Sequence, residues 1–168
     1  GIFDAGMPFL RISYYFTSAT LVALGLHAIY YFRTALDIRY VIFLALATLG
    51  ADTFAYFVGR AIGKHKLNPR LSPKKTIEGS IGGIVCGGLL GLAYAYCVQI
   101  PYSLPYLTLM SFLLATTGQI GDLTFSSIKR TFEVKDYSQI FPGHGGVLDR
   151  FDSIIFNSMI LGLLLTLL

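Results

Sequence analysis

The feature that most constrains this chain is a succession of long apolar blocks, near residues 12–32, 41–62, 79–98, 104–125 and 150–168. Each is close to the roughly 20 residues that an α-helix needs to cross a bilayer. Charge is scarce to match. Only 13% of the 168 residues are charged and 54% are hydrophobic, whereas soluble domains carry about 25% charged residues. With a mean hydropathy of +0.65, water is the wrong solvent for most of this surface. The predicted fold is therefore all-α, a polytopic transmembrane helical bundle of about five spans, with residues 1–168 forming a single integral membrane domain. Asp52 interrupts the second block and Gln119 to Asp122 the fourth, so those boundaries are soft. The first 30 residues lack a basic start and a small-residue cleavage site, so no secretory signal is read there. Gly1 stands where an initiator Met would, which leads us to expect a fragment or processed chain with more spans upstream.

Five spans put two basic connections on one side. Residues 63–78 hold Lys64, Lys66, Arg70, Lys74 and Lys75, and residues 126–149 hold Lys129, Arg130 and Lys135. The other side offers Arg33 and Arg39, and no Lys or Arg in the Gln99–Ser103 turn. The positive-inside rule makes the basic side cytoplasmic. Tyr94, Tyr96, Tyr102 and Tyr106 bracket the opposite turn as an interfacial aromatic belt would. The basic residues cluster in juxtamembrane loops and not along a soluble face, which excludes nucleic acid as a partner. Cys86 and Cys97 fall about 16 Å apart on one helix, too far to bond to each other, and without a Cys/His cluster zinc is not expected.

The third block carries Gly79, Gly83, Gly87, Gly91 and Ala95 at intervals of four. Such a strip is smooth enough for another helix to approach closely; a lipid or substrate groove is the alternative. Charge inside the membrane is the sharper anomaly, because an intramembrane Asp costs about 2.5–3.5 kcal/mol on insertion scales and normally faces a partner. Asp52 and Asp122 are two of these. Gln119, Asp122, Ser126, Lys129 and Arg130 share one helix face within roughly 100° of arc, a carboxylate, a hydroxyl and two cations in a row. A solvated helix end would also carry some of this charge, but the stripe starts too deep for that alone. At the start of the fifth block, Asp149 and Asp152 lie at i and i+3 beside Arg150 and Ser153 and share a face, although carboxylates are favoured at helix N-termini anyway. Oxygen ligands of this kind suit a hard cation such as Mg²⁺, which takes one or two carboxylates plus phosphate oxygens and water.

Two loops are suited to phosphates. Pro142-Gly143-His144-Gly145-Gly146 precedes the fifth helix, where free N–H groups make an anion site; the same glycines serve an ordinary turn, in which His144 would cap or hydrogen-bond. In the stretch 71–79, LSPKKTIEG, Ser72 or Thr76 can cap the third helix, with Lys74 and Lys75 beside its positive end.

The run SSIKRTFEVKDYSQIFPGHGGVLDRFD, residues 126–152, resembles the signature of the CDP-diacylglycerol synthases, or phosphatidate cytidylyltransferases. Gly50-Ala51-Asp52, Gly59-Arg60, LSPKKTIEG and Gly121-Asp122-Leu123 are also similar, so the likeness covers roughly residues 50–155. The family's amino-terminal spans have no counterpart here. The resemblance implies that CTP and phosphatidate give CDP-diacylglycerol and pyrophosphate, with metal at Asp122 and Asp149 and with Ser126 and Lys129 nearby. On that footing the catalytic set is Asp122, Asp149, Lys129 and Arg130. The phosphate-binding set is Lys74, Lys75, Ser126, His144, Gly145, Gly146 and Arg150. Asp52 and Asp152 are second candidates for metal. The cofactor is Mg²⁺, with a second cation as a further candidate. Candidate partners are CTP, phosphatidate, the lipid bilayer and a second copy in a homodimer, and the expected location is a bacterial cytoplasmic membrane with the site facing the cytoplasm. Two alternatives stand beside this one. A CTP-dependent polyprenol or phytol kinase would need a base, for which His144 is the candidate. A cation transporter would use Asp52 and Asp122 as intramembrane ligands.

Overall fold

The computed structural model describes the backbone of residues 9–69, 71–131 and 148–167, and their side chains except at 10, 11, 131 and 148–150. Five helices dominate: α1 (Phe9–Tyr31), α2 (Ile38–Ile62), α3 (Ile77–Cys97), α4 (Leu104–Thr131) and α5 (Leu148–Thr166). Among the described residues, three stretches have the length and apolarity to cross a membrane: Ile12–Leu36, Ile38–Ile62 and Ile77–Cys97. The first of these includes a π-helical turn, Phe32–Leu36, that prolongs α1. Helix α4 runs unbroken through Gln119 and Asp122 to Thr131, six residues beyond the expected end of the fourth span and into what the sequence suggested was loop. Its charged residues lower its apolarity without breaking it, because a helix pairs its own backbone whatever its side chains carry. The all-α expectation gains one exception. A small antiparallel hairpin, β1 (Lys66–Asn68) with β2 (Ser72–Thr76), fills the connection between α2 and α3.

The glycine strip on α3 serves helix packing. Gly79, Gly83, Gly87, Gly91 and Ala95 are all buried, and the four glycines face Ala47, Ala51, Ala55 and Gly59 on α2 in antiparallel order. A Cβ added at Gly87 would lie 2.5 Å from the Ala51 nitrogen, and one at Gly79 would lie 2.8 Å from the Gly59 Cα. Backbone therefore meets backbone, the close approach that small residues permit in a bilayer. The partner strip on α2 has the same four-residue period.

Polar side chains tie the remaining helices together where water is scarce. The fully buried Asn157 amide on α5 donates to Thr48 Oγ1 of α2 at 2.8 Å and to the Leu114 carbonyl of α4 at 2.7 Å. Its oxygen accepts from Thr117 Oγ1 at 2.7 Å. Ser158 Oγ donates to the Gly25 carbonyl of α1 at 2.9 Å, and Ser111 Oγ of α4 to the Gly88 carbonyl of α3 at 2.6 Å. Large apolar side chains such as Phe16, Leu24, Phe57, Leu89 and Leu163 point outward, as expected of a surface that meets lipid.

These contacts place the end of α2, the start of α3, the end of α4 and the start of α5 at one end of the bundle. At the other end, Arg39 pairs with Asp37 at 3.3 Å and donates to the Val98 carbonyl at 3.0 Å. The Arg39 backbone N–H, and then its guanidinium charge, hold the Asp37 carboxyl below its ordinary pKa. There α3 closes with Gln99 in the left-handed region, φ 52°, while Ile100 N–H reaches the Ala95 carbonyl at 3.0 Å and Gln99 N–H the Tyr96 carbonyl at 3.2 Å. Both carbonyls would otherwise be orphans of the last helical turn.

Candidate functional site

The site grows out of the glycine junction between α2 and α3. Helix α2 ends at Gly63, whose N–H bonds the Gly59 carbonyl at 3.0 Å. The chain turns through the hairpin and enters α3 at Thr76. Of the two predicted capping residues, Thr76 does the work, accepting from Gly79 N–H at 3.1 Å. Thr76 is buried where Gly59, Gly63 and Gly79 converge; a Cβ on any of them would meet its hydroxyl at 2.6–2.8 Å. Successive residues of a strand point to opposite sides, so Lys74 stays exposed while Lys75 is half-buried. Lys75 Nζ pairs with Asp122 of α4.

That pair lies in a cavity of about 510 Å³. Asp52 of α2, Asp122 of α4 and Asp152 of α5 bring carboxylates to its wall from three helices, and Lys66, Lys74 and Lys75 bring cations from the hairpin. Leu49, Asp52, Tyr56 and Arg60 line it along one face of α2, apolar at the deep end and cationic at the rim. Gln119 is buried and anchored to α3, its Nε2 donating to the Ser80 carbonyl at 3.1 Å and its oxygen accepting from Ser80 Oγ. Asp52 faces the same cavity as Lys75, Asp122 and Ser153. Asp152 Oδ1 accepts from Ser153 N–H at 2.7 Å, while its Oδ2 is buried without a hydrogen-bond partner among the described residues and lies 3.8 Å from Lys129 Nζ. Lys75 Nζ is buried as well, its charge met by Asp122.

Of the residues singled out in the sequence, the cavity gathers Lys74, Lys75, Asp122, Asp52 and Asp152. Lys129 is buried and faces Asp152. Ser126 is half-buried and Arg130 exposed on the same stretch of α4, and these three are not among the residues lining the cavity. Asp149 and Arg150 belong to the first turn of α5, their side chains outside the described residues, and His144, Gly145 and Gly146 lie outside the described residues altogether. Tyr56 was missed, and Ser153 was named beside Asp152 but given no role. Tyr56 had a readable signal, the four-residue spacing Asp52–Tyr56–Arg60; Ser153 had only its place beside Asp152.

The donor set is one of carboxylate oxygens, with no three His, Cys, Asp or Glu converging as a cage among the described residues. It fits a hard cation such as Mg²⁺, which needs only one or two protein carboxylates, and Asp152 Oδ2, which has no hydrogen bond among the described residues, is an oxygen of the right kind. A cavity with carboxylates on its helices and cations on a hairpin, beside outward-facing apolar surface, is equipped to bind a metal–phosphate ligand.

Comparison with known proteins agrees in kind. The family model described as Cytidylyltransferase family matches residues 4–168. Among individual relatives, the phosphatidate cytidylyltransferase of Staphylococcus epidermidis is 43% identical over 151 residues, covering 89% of this chain and 58% of the relative. The enzyme of the same name from Bacillus subtilis is 44% identical over 130 residues, 77% of this chain and 48% of the relative. That from Staphylococcus aureus is 41% identical over 157 residues, 94% and 60%. The chain thus spans about half to three-fifths of the length of the curated relatives it matches.

Proposed function

Since the chain belongs to the cytidylyltransferase family, we propose that this membrane protein transfers the cytidylyl group of CTP to phosphatidate. The observation that carries the reading is a cavity whose wall carries Asp52, Asp122 and Asp152 from three helices and the lysines of one hairpin, beside outward-facing apolar surface. A phosphatidate phosphate oxygen attacks the α-phosphorus of CTP; the new P–O bond forms as the bond to the departing pyrophosphate breaks. A phosphate monoester is already ionised near neutral pH, its second pKa being about 6, so no strong base is required. The protein's task is positioning and charge neutralisation.

In this reading Lys74 and Lys75 hold phosphate oxygens from the hairpin, with Lys66 and Arg60 at the rim. Lys129, Arg130, Ser126, Arg150, His144, Gly145 and Gly146 serve the same phosphates from α4 and the sequence leading into α5. Asp122 and Asp149 are assigned to Mg²⁺, with Asp52 and Asp152 as further carboxylates for it or for a second cation. When bound, such a cation neutralises charge on the triphosphate. The basic end of the bundle faces the cytoplasm of a bacterial cell by the positive-inside argument, which gives a water-soluble nucleotide access to the cavity.

The test is turnover of labelled CTP and phosphatidate by the full-length protein in detergent. Asp122→Asn should abolish nearly all transfer while the protein still inserts, since loss of an intramembrane charge does not harm insertion. Lys75→Ala should lower kcat/KM by roughly ten- to a hundred-fold, the range for one cation acting on phosphate charge. Full activity in Asp122→Asn would remove the basis of the assignment.

A further inference from the structure

Glu78 does not line the cavity, yet its carboxylate holds both backbone and side chain at the base of the hairpin. It is the second residue of α3, one turn from the lysines. Its Oε2 accepts from Lys64 N–H at 3.1 Å and from His65 N–H at 3.2 Å, and its Oε1 lies 2.6 Å from His65 Nδ1. These partners sit thirteen and fourteen residues earlier, just past the end of α2. Ile77 N–H adds a bond to the His65 carbonyl at 2.9 Å. Two consecutive backbone N–H groups form an anion-binding nest, and here a carboxylate of the same chain fills it.

Stability of α3 does not call for this arrangement, because Thr76 already caps the helix. A carboxylate gains from the positive end of α3 but loses beside the negative end of α2. What the contact does achieve is closure of the hairpin at its base. Strands of three and five residues are marginal on their own, as isolated two-stranded hairpins are. Lys66, Lys74 and Lys75 all ride on the closed segment, and Lys75 must reach Asp122 across the cavity.

We propose that Glu78 is the positioning residue of this site: by clasping the Lys64–His65 backbone it holds the hairpin so that Lys74 and Lys75 face the bound phosphates. The choice of substrate in the test rests on the cytidylyl-transfer reading; the clasp itself does not.

The experiment uses the full-length protein in detergent. Glu78→Ala should raise the KM for CTP about tenfold with kcat within about twofold, the pattern for a contact that binds ground and transition states alike. Glu78→Gln keeps an acceptor oxygen for the two amides and should bring KM back to within about threefold of the starting protein. It also covers the case in which the alanine variant fails to fold. Unchanged KM in Glu78→Ala, or a glutamine variant as impaired as the alanine, overturns the proposal. Amide hydrogen exchange without substrate gives the separate reading. Exchange should quicken across 64–76 in Glu78→Ala and stay unchanged in the buried stretch 83–92 of α3. A wild-type protein that fails to use CTP and phosphatidate would sink the functional reading and leave the exchange result to decide the clasp. Equal exchange in the two proteins refutes the clasp whatever the activity.

Discussion

Substituting Gly87 with alanine puts the α2–α3 junction to a quantitative test. The new Cβ would lie 2.5, 2.6 and 2.8 Å from the N, Cα and Cβ of Ala51, where ordinary contact begins at 3.4 Å. Two of these atoms are backbone, so no rotamer change relieves them, and the helices must part by roughly 1 Å in a close-packed interior. Overpacking of this kind costs about 1–3 kcal/mol, offset in part by the helix preference of Ala over Gly, about 1 kcal/mol. For a chain of this size each kcal/mol moves Tm by roughly 2–4 °C, so Gly87→Ala should melt a few degrees lower. Gly162→Ala is the matched control: its Cβ would meet only Phe32 Cζ at 3.7 Å, and it should be neutral or slightly stabilising. The same displacement reaches the site, because Asp52 follows Ala51 in sequence. A misplacement of about 1 Å can cost on the order of a hundredfold in rate, so kcat should fall at least tenfold in Gly87→Ala and remain unchanged in Gly162→Ala. Thermal melting in detergent and the CTP assay read the two effects. If both variants melt and turn over alike, the backbone contact between α2 and α3 does not exist as described.

Two further outcomes follow from the ends of the bundle. Gln99 occupies a left-handed position at φ 52°, which costs a non-glycine residue about 1–2 kcal/mol; Gln99→Gly should therefore raise Tm by a few degrees, and a lower Tm would mean that the Gln99 side chain contributes there. In a background lacking Cys86 and Cys97, cysteines at Lys66 and Ser103 should react with membrane-impermeant thiol reagents from opposite sides, Lys66 from the cytoplasmic one. Labelling of both from the same side would overturn the alternating order of the helices.

What the sequence made legible was whatever depends on period. Apolar length marked the helices, and the four-residue spacing of Gly79 to Ala95 marked a packing face. The partner strip Ala47–Ala51–Ala55–Gly59 has the same period but is hidden among equally apolar neighbours, since alanine in a membrane helix signals nothing by itself. The hairpin escaped because its strands are too short for alternation to register, and Pro73 inside β2 reads as a breaker. Lys75 and Asp122 were both singled out, yet nothing local joins a loop lysine to an intramembrane aspartate on another helix. That pairing is tertiary, fixed by how α3 and α4 are held through Ser80 and Gln119. The fourth span looked interrupted because hydropathy averages over side chains, whereas helix continuity depends on the backbone.

The two signs of charge at the cavity have different mechanical supports. Asp52, Asp122 and Asp152 stand on three helices tied together by the Asn157 bonds to Thr48 and Leu114, with α2 held in turn against α3 by backbone contact, so their mutual positions are set by the helix packing. Lys66, Lys74 and Lys75 stand on a short hairpin fastened at its base. Helices position a metal-binding carboxylate well because the geometry of a hard cation tolerates little error. In the proposed reaction the hairpin cations meet the triphosphate from a support separate from the carboxylates, held in register by the Glu78 contacts. The Lys75–Asp122 pair joins the two supports, holding each charge in the cavity by the other; a ligand carrying both metal and phosphate would satisfy each of them separately.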